Sequence, residues 1–156
     1  MEPIGKSPIS VPLLITGKIA MLLCWLFFLT KTTNTLTMHY DSQTTHWIGI
    51  ALYAAGLIIV IFGFFGLGSS VSVGLPEEQT VLKTGGIYQL SRNPMYLGGF
   101  VMCLGSCVYS IHIINSILFA ITFSIHHSIV LKEEQFLEKR FGNSWLGYKK
   151  KVRRYF

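Results

Sequence analysis

Apolar residues in this chain run in long blocks and do not alternate with polar ones. Four blocks stand out, at residues 11–30, 47–67, 95–109 and 111–131. Blocks of this kind predict bilayer-crossing helices, for which about 20 apolar residues suffice. The second block has no charged residue, and the first is interrupted by Lys18 alone, whose stem can reach the nearer interface. The third is short for a full crossing. One unbroken helix over 95–131 would measure about 55 Å at 1.5 Å per residue, well beyond the hydrocarbon thickness. The pattern therefore predicts two helices folded back on each other, turning at Tyr109-Ser110-Ile111-His112. The expectation is an all-α, polytopic membrane protein, one domain over residues 1–156. It has about four transmembrane helices, a C-terminal helical hairpin and an amphipathic tail helix. The first block reads as a retained anchor, because no small-residue cleavage site follows it.

Composition agrees with the pattern. Of 156 residues, 51% are hydrophobic and only 13% charged, about half the charged share of a soluble domain. Charge then sets the orientation. Residues 132–156 hold eight Lys or Arg against three Glu, and such basic segments stay in the cytoplasm. With four spans, both termini face the cytoplasm, as do the segment before Pro94 and the tail. Each basic residue near an anionic headgroup surface contributes roughly 1 kcal/mol, so a partner expected of the tail is the anionic bilayer and not nucleic acid.

The remaining chemistry is concentrated in two patches. The first is Gly86-x-Tyr88-x-x-x-Arg92-Asn93-Pro94-x-Tyr96-x-Gly98. Proline suits the first turn of a helix, so Pro94 is expected to start the third span with Asn93 as its N-cap. The unpaired amides of that helix start, together with Arg92, favour a carboxylate or phosphate. Gly85 and Gly86 permit close backbone approach, and Tyr88 and Tyr96 offer ring faces and hydroxyls. The same residues also suit a plain interfacial belt of aromatic and arginine side chains. The second patch is Glu133-Glu134 followed by Leu137, Phe141-Gly142, Trp145 and Tyr148. Adjacent carboxylates beside an anionic leaflet are unfavourable unless a cation sits with them; the alternative is a solvated helix end. Phe136, Leu137, Phe141, Trp145 and Tyr148 give the tail helix an apolar side, to lie on the membrane or over the site.

Other features add less. Cys24, Cys103 and Cys107 lie in apolar sequence without metal-ligand spacing and read as packing residues, and no metal is expected. His126 and His127 are either satisfied interfacial residues or part of the polar site. Gly66-Leu67-Gly68 reads as a helix end, and Leu75-Pro76-Glu77-Glu78 as a turn opening a short surface helix.

The two patches, in this order and about 40 residues apart, resemble the isoprenylcysteine carboxyl methyltransferase family and its phospholipid methyltransferase relatives. The resemblance covers about residues 69–156. It implies a helical, non-Rossmann site for S-adenosylmethionine at the cytoplasmic face. By this resemblance the cofactor-binding positions are Gly86, Tyr88, Arg92, Asn93, Tyr96, Glu133 and Glu134, with Arg92 and Glu134 as the candidate catalytic pair. Arg92 is expected to take the ligand's carboxylate, and a glutamate its ammonium or ribose hydroxyls. The acceptor would be membrane-embedded or lipid-linked, bearing a carboxylate, an amine headgroup or a thiol. Two positions depart from the pattern: Asn93 stands where histidine is usual in the isoprenylcysteine enzymes, and Trp145 where tyrosine is common. Two further readings stay open, an NADPH-dependent membrane reductase of sterol-reductase type and a non-catalytic lipid-binding scaffold.

Overall fold

The computed structural model describes residues 10–67 and 81–156. The Leu75–Glu78 turn and Gly68 lie outside the described residues. Among the described residues five α-helices follow one another: α1 (Val11–Thr32), α2 (Gln43–Leu67), α3 (Pro94–Tyr109), α4 (Ile113–Phe141) and α5 (Asn143–Lys151). A 3₁₀ turn, Gly86–Gln89, precedes α3. The described residues contain no strand, only an isolated bridge between Tyr40 and Ile111.

Helices α1, α2 and α4 are each long and apolar enough to cross a membrane. This is an integral membrane protein. Helix α3 has 16 residues, about 24 Å at 1.5 Å per residue, and is the short member of the set. The α3–α4 hairpin turns at Ser110, Ile111 and His112. There the His112 ring accepts a hydrogen bond from the Ile114 amide at 3.2 Å and so caps α4. The loop after α1 latches onto this turn through the His39 amide, which donates to the Ile111 carbonyl at 2.9 Å.

Glycines bring α2 and α3 into backbone contact. Gly49, Gly56 and Gly63 recur every seven residues along α2, and all three are buried. A Cβ at Gly56 would lie 2.6 Å from the Gly98 carbonyl oxygen, and one at Gly105 would lie 2.5 Å from the Tyr53 amide nitrogen. Lipid tails are as apolar as leucine, so close van der Waals packing has to supply what the hydrophobic effect supplies in water. We therefore expect Gly56→Ala to lower stability by about 1–3 kcal/mol through overpacking. Gly147→Ala, in a helix where the added methyl meets nothing within 4 Å, should raise it by up to about 1 kcal/mol. Unfolding of the two variants in one detergent measures both; equal effects would contradict the glycine interface.

Helix α1 packs on α3 and α4 through Gly17, Ala20, Cys24 and Phe27. A buried polar knot joins these three helices. Ser106 donates to the Cys24 carbonyl at 2.7 Å, Asn115 donates to Ser106 at 3.1 Å, and the Cys24 thiol donates to the Asn115 amide oxygen at 3.2 Å. All three cysteines are free thiols.

One boundary differs from the sequence reading. Helix α4 does not stop near Leu131 but runs to Phe141, 29 residues in all, or roughly 44 Å. Hydropathy falls at Lys132, but Lys132-Glu133-Glu134-Gln135-Phe136-Leu137-Glu138 are mostly good helix formers. The helix therefore projects out of the apolar layer with both glutamates on it. Gly142, at φ 51°, ends it and reverses the chain into α5. Helix α5 then turns Trp145 and Tyr148 inward, where with Val152 they form a small core against Leu82, Leu137 and Phe141.

Candidate functional site

Helix periodicity aims the two glutamates differently. Successive residues on a helix point about 100° apart, so Glu133 and Glu134 meet different partners. Glu134 is 4% exposed. The Arg92 guanidinium grips it bidentately, with contacts of 3.0 and 3.2 Å from one terminal nitrogen and 3.2 Å from Nε. The Asn93 side-chain amide donates to the same carboxylate at 3.0 Å. Arg154 adds two more bonds, at 3.1 and 2.9 Å. Three side chains thus saturate both oxygens of one buried carboxylate. Hydrogen bonding to Glu134 also holds the Arg154 guanidinium above its ordinary pKa.

Arg92 is equally committed. Its other terminal nitrogen donates to the carbonyls of Val152 at 2.6 Å and Lys149 at 3.2 Å, and its guanidinium lies 5.8 Å from the centre of the Trp145 ring. Its backbone amide donates to the Arg153 carbonyl, while Ser91 Oγ donates to the Arg154 carbonyl, both at 3.0 Å. The turn before α3, the emerging end of α4 and the chain after α5 are thereby tied at one point. Arg92 and Glu134, 42 residues apart, come together as a buried ion pair.

Several expected roles change on this geometry. Arg92 has no nitrogen left over for a ligand's carboxylate in this conformation, because Glu134 and two carbonyls take them all. Asn93 occupies the N-cap position of α3, but its side chain makes no cap bond because it serves Glu134. Tyr88 is buried, with its hydroxyl donating to the Gly63 carbonyl at 3.3 Å and its own carbonyl accepting from Tyr148. Its ring lies against Gly66, where an added Cβ would come within 3.1 Å; it pins the 3₁₀ turn to the end of α2. Burial raises its phenol pKa. Gly86 takes φ +60°, and a Cβ there would meet nothing within 4 Å. Its glycine answers a backbone requirement.

Glu133 differs from its neighbour. Tyr96 donates to its Oε1 at 2.9 Å, and its second oxygen accepts no hydrogen bond among the described residues. Because the Asn93 side chain is turned away, the first-turn amides of α3 also lack a side-chain cap. An open carboxylate and an uncapped helix N-terminus thus lie on either side of Tyr96, next to the saturated Glu134. This donor and acceptor set fits a zwitterion: the glutamate suits an ammonium, and the helix start suits a carboxylate.

The sequence reading missed Arg154, Ser91 and Tyr155. Tyr155 bonds His127 Nδ1 at 3.0 Å and packs edge-on to Phe100, with ring centres 5.7 Å apart. Its phenol is pushed up to about 12 by burial. His127, left open between two readings, is this contact's partner. His126 lies 5.9 Å, ring to ring, from Tyr96. Among the described residues no cluster of His, Cys, Asp and Glu is arranged to hold a metal ion.

Residues 44–144 match the family model for phospholipid methyltransferases. The chain belongs to this family. The matched stretch includes Arg92, Asn93, Tyr96, Glu133 and Glu134, though not Arg154. The chain is also similar to proteins named protein-S-isoprenylcysteine O-methyltransferase. It is 33% identical to that of Dictyostelium discoideum, over 68% of this chain and 46% of the relative. It is 33% identical to that of Rattus norvegicus, over 65% of this chain and 39% of the relative. Form A from Arabidopsis thaliana is 27% identical, over 95% of this chain and 78% of the relative. The chain spans less than half the length of the first two relatives.

Proposed function

We propose that this chain transfers a methyl group from S-adenosylmethionine to an acceptor held in the bilayer. The observation that carries this reading is the paired use of Glu133 and Glu134. One is saturated by its own chain and organises the site, and the other keeps an open oxygen beside Tyr96 and an uncapped helix start. Glu133 would hold the ligand's ammonium, the α3 amides its carboxylate, and the Arg92–Glu134–Arg154 cluster would fix both elements in register. When bound, S-adenosylmethionine supplies a sulfonium-borne methyl group open to direct displacement by a nucleophile. The contribution of these residues is positional, and holding reactants in line can supply about 7–11 kcal/mol of a barrier. A site at the boundary of the apolar layer also excludes water from a reaction in which charge is dispersed.

The names of the relatives favour a carboxylate acceptor of the isoprenylcysteine type, and the family description a phospholipid amine. Both are lipid-tailed and can enter between helices. The excess of Lys and Arg after residue 131 supports a cytoplasmic location for this end of the bundle and both termini under the positive-inside rule.

Calorimetric titration of the purified chain in detergent tests the reading. S-adenosylhomocysteine should bind with micromolar affinity, and NADPH should give no heat of binding. Saturable NADPH binding without S-adenosylhomocysteine binding would select the reductase, and silence from both the scaffold.

A further inference from the structure

Lys18 is a charged residue placed about 10 Å into the apolar run of α1, at 1.5 Å per residue from Val11. A charge inside a span is costly and usually serves a partner. Its side chain is exposed, and among the described residues it forms no ion pair or hydrogen bond. Its position is nevertheless fixed. The preceding Gly17 packs so tightly on α4 that a Cβ there would come within 2.6 Å of Ile125 and 3.2 Å of the His126 ring. This contact pins Lys18 to the seam between α1 and α4. From there the path to the site is short: the His126 ring lies 5.9 Å from that of Tyr96, whose hydroxyl holds Glu133.

An anionic acceptor arriving beside Glu133 would be repelled unless a cation received it. The two guanidiniums of the cluster are spent on Glu134. The His126 ring is already engaged, its Nδ1 donating to the Thr122 carbonyl at 2.9 Å. Lys18 is exposed on the lipid-facing side of the bundle, where an apolar tail would enter. We infer that Lys18 is a specificity residue at the α1–α4 seam, holding the carboxylate or phosphate oxygen of an acceptor whose tail lies in the bilayer. This rests on the methyltransferase reading above and names the part of the acceptor that the chain recognises.

Equilibrium binding to the full chain in lipid nanodiscs tests it, with and without S-adenosylhomocysteine. One arm compares N-acetyl-S-farnesylcysteine with its carboxamide; the other compares a lysophosphatidic acid with the monoacylglycerol of the same chain. The wild-type chain should prefer one charged member by about tenfold, as a charge-assisted hydrogen bond supplies. Lys18→Gln should abolish that preference and Lys18→Arg keep it. Loss in the first arm identifies a carboxylate, and loss in the second a phosphate. A wild-type chain without charge preference in either arm, or a Lys18→Gln chain that keeps it, overturns the subsite. A chain that fails to bind S-adenosylhomocysteine yet shows the Lys18-dependent preference overturns the methyltransferase reading and leaves the subsite standing.

Discussion

Glu134→Ala should destabilise the protein by about 3–5 kcal/mol, the loss expected when one partner of a buried ion pair is removed. The reason is what it leaves behind. Arg92 is 7% exposed at its side chain and would keep a full charge in a pocket with a second guanidinium, that of Arg154. The Asn93 amide would lose its acceptor as well. Arg92→Ala should cost less, because Glu134 would retain Arg154 and Asn93 and so remain compensated. This asymmetry follows from two cations converging on one anion, and a simple one-to-one pair would not show it. Chemical unfolding of both variants in the same detergent measures it. A Glu134→Ala protein within 1 kcal/mol of wild type, or one more stable than Arg92→Ala, would contradict a closed cluster.

The second large effect is on binding. Glu133→Gln should weaken S-adenosylhomocysteine affinity by about ten- to a hundredfold, since a hydrogen bond to a charged group contributes roughly 1.5–3 kcal/mol. Stability should barely move. In the folded chain Glu133 serves only the Tyr96 hydroxyl among the described residues, and the amide oxygen of glutamine can still accept from it. The two adjacent glutamates therefore have separable signatures: one governs folding and the other ligand affinity. Titration calorimetry on Glu133→Gln, beside an unfolding curve, reads both. An unchanged affinity would remove Glu133 from the ligand site.

Much of the architecture was legible because membranes make charge expensive. The four apolar blocks, the hairpin at residues 109–112 and the convergence of Arg92 with Glu134 all follow from asking where polar groups can be tolerated. The extension of α4 to Phe141 was not legible from hydropathy, which reports solvent and not helix propensity. Nor was the saturation of Glu134. The sequence argument correctly required a cation beside the carboxylates but looked for it in a ligand, whereas the chain supplies it from Arg92 and Arg154. Arg154 gave no signal of its own, being one of eight basic residues after position 131. Tyr88 shows a related limit: spacing puts an aromatic near the site but cannot say that its hydroxyl bonds the Gly63 carbonyl of α2. The glycines at 49, 56 and 63 did carry a signal, a seven-residue repeat of small residues in an apolar helix. It marks an interface for close helix packing.

The central claim is that an organised acid, Glu134, and an open acid, Glu133, divide the work of one zwitterion-binding site. A structure of the chain with S-adenosylhomocysteine bound tests it most directly. The account predicts the ligand's ammonium within hydrogen-bonding distance of Glu133, its carboxylate at the first turn of α3, and the Arg92–Glu134 pair intact. A ligand ammonium seated on Glu134 with Arg92 or Arg154 displaced, or a ligand bound at the opposite end of the bundle, would contradict it.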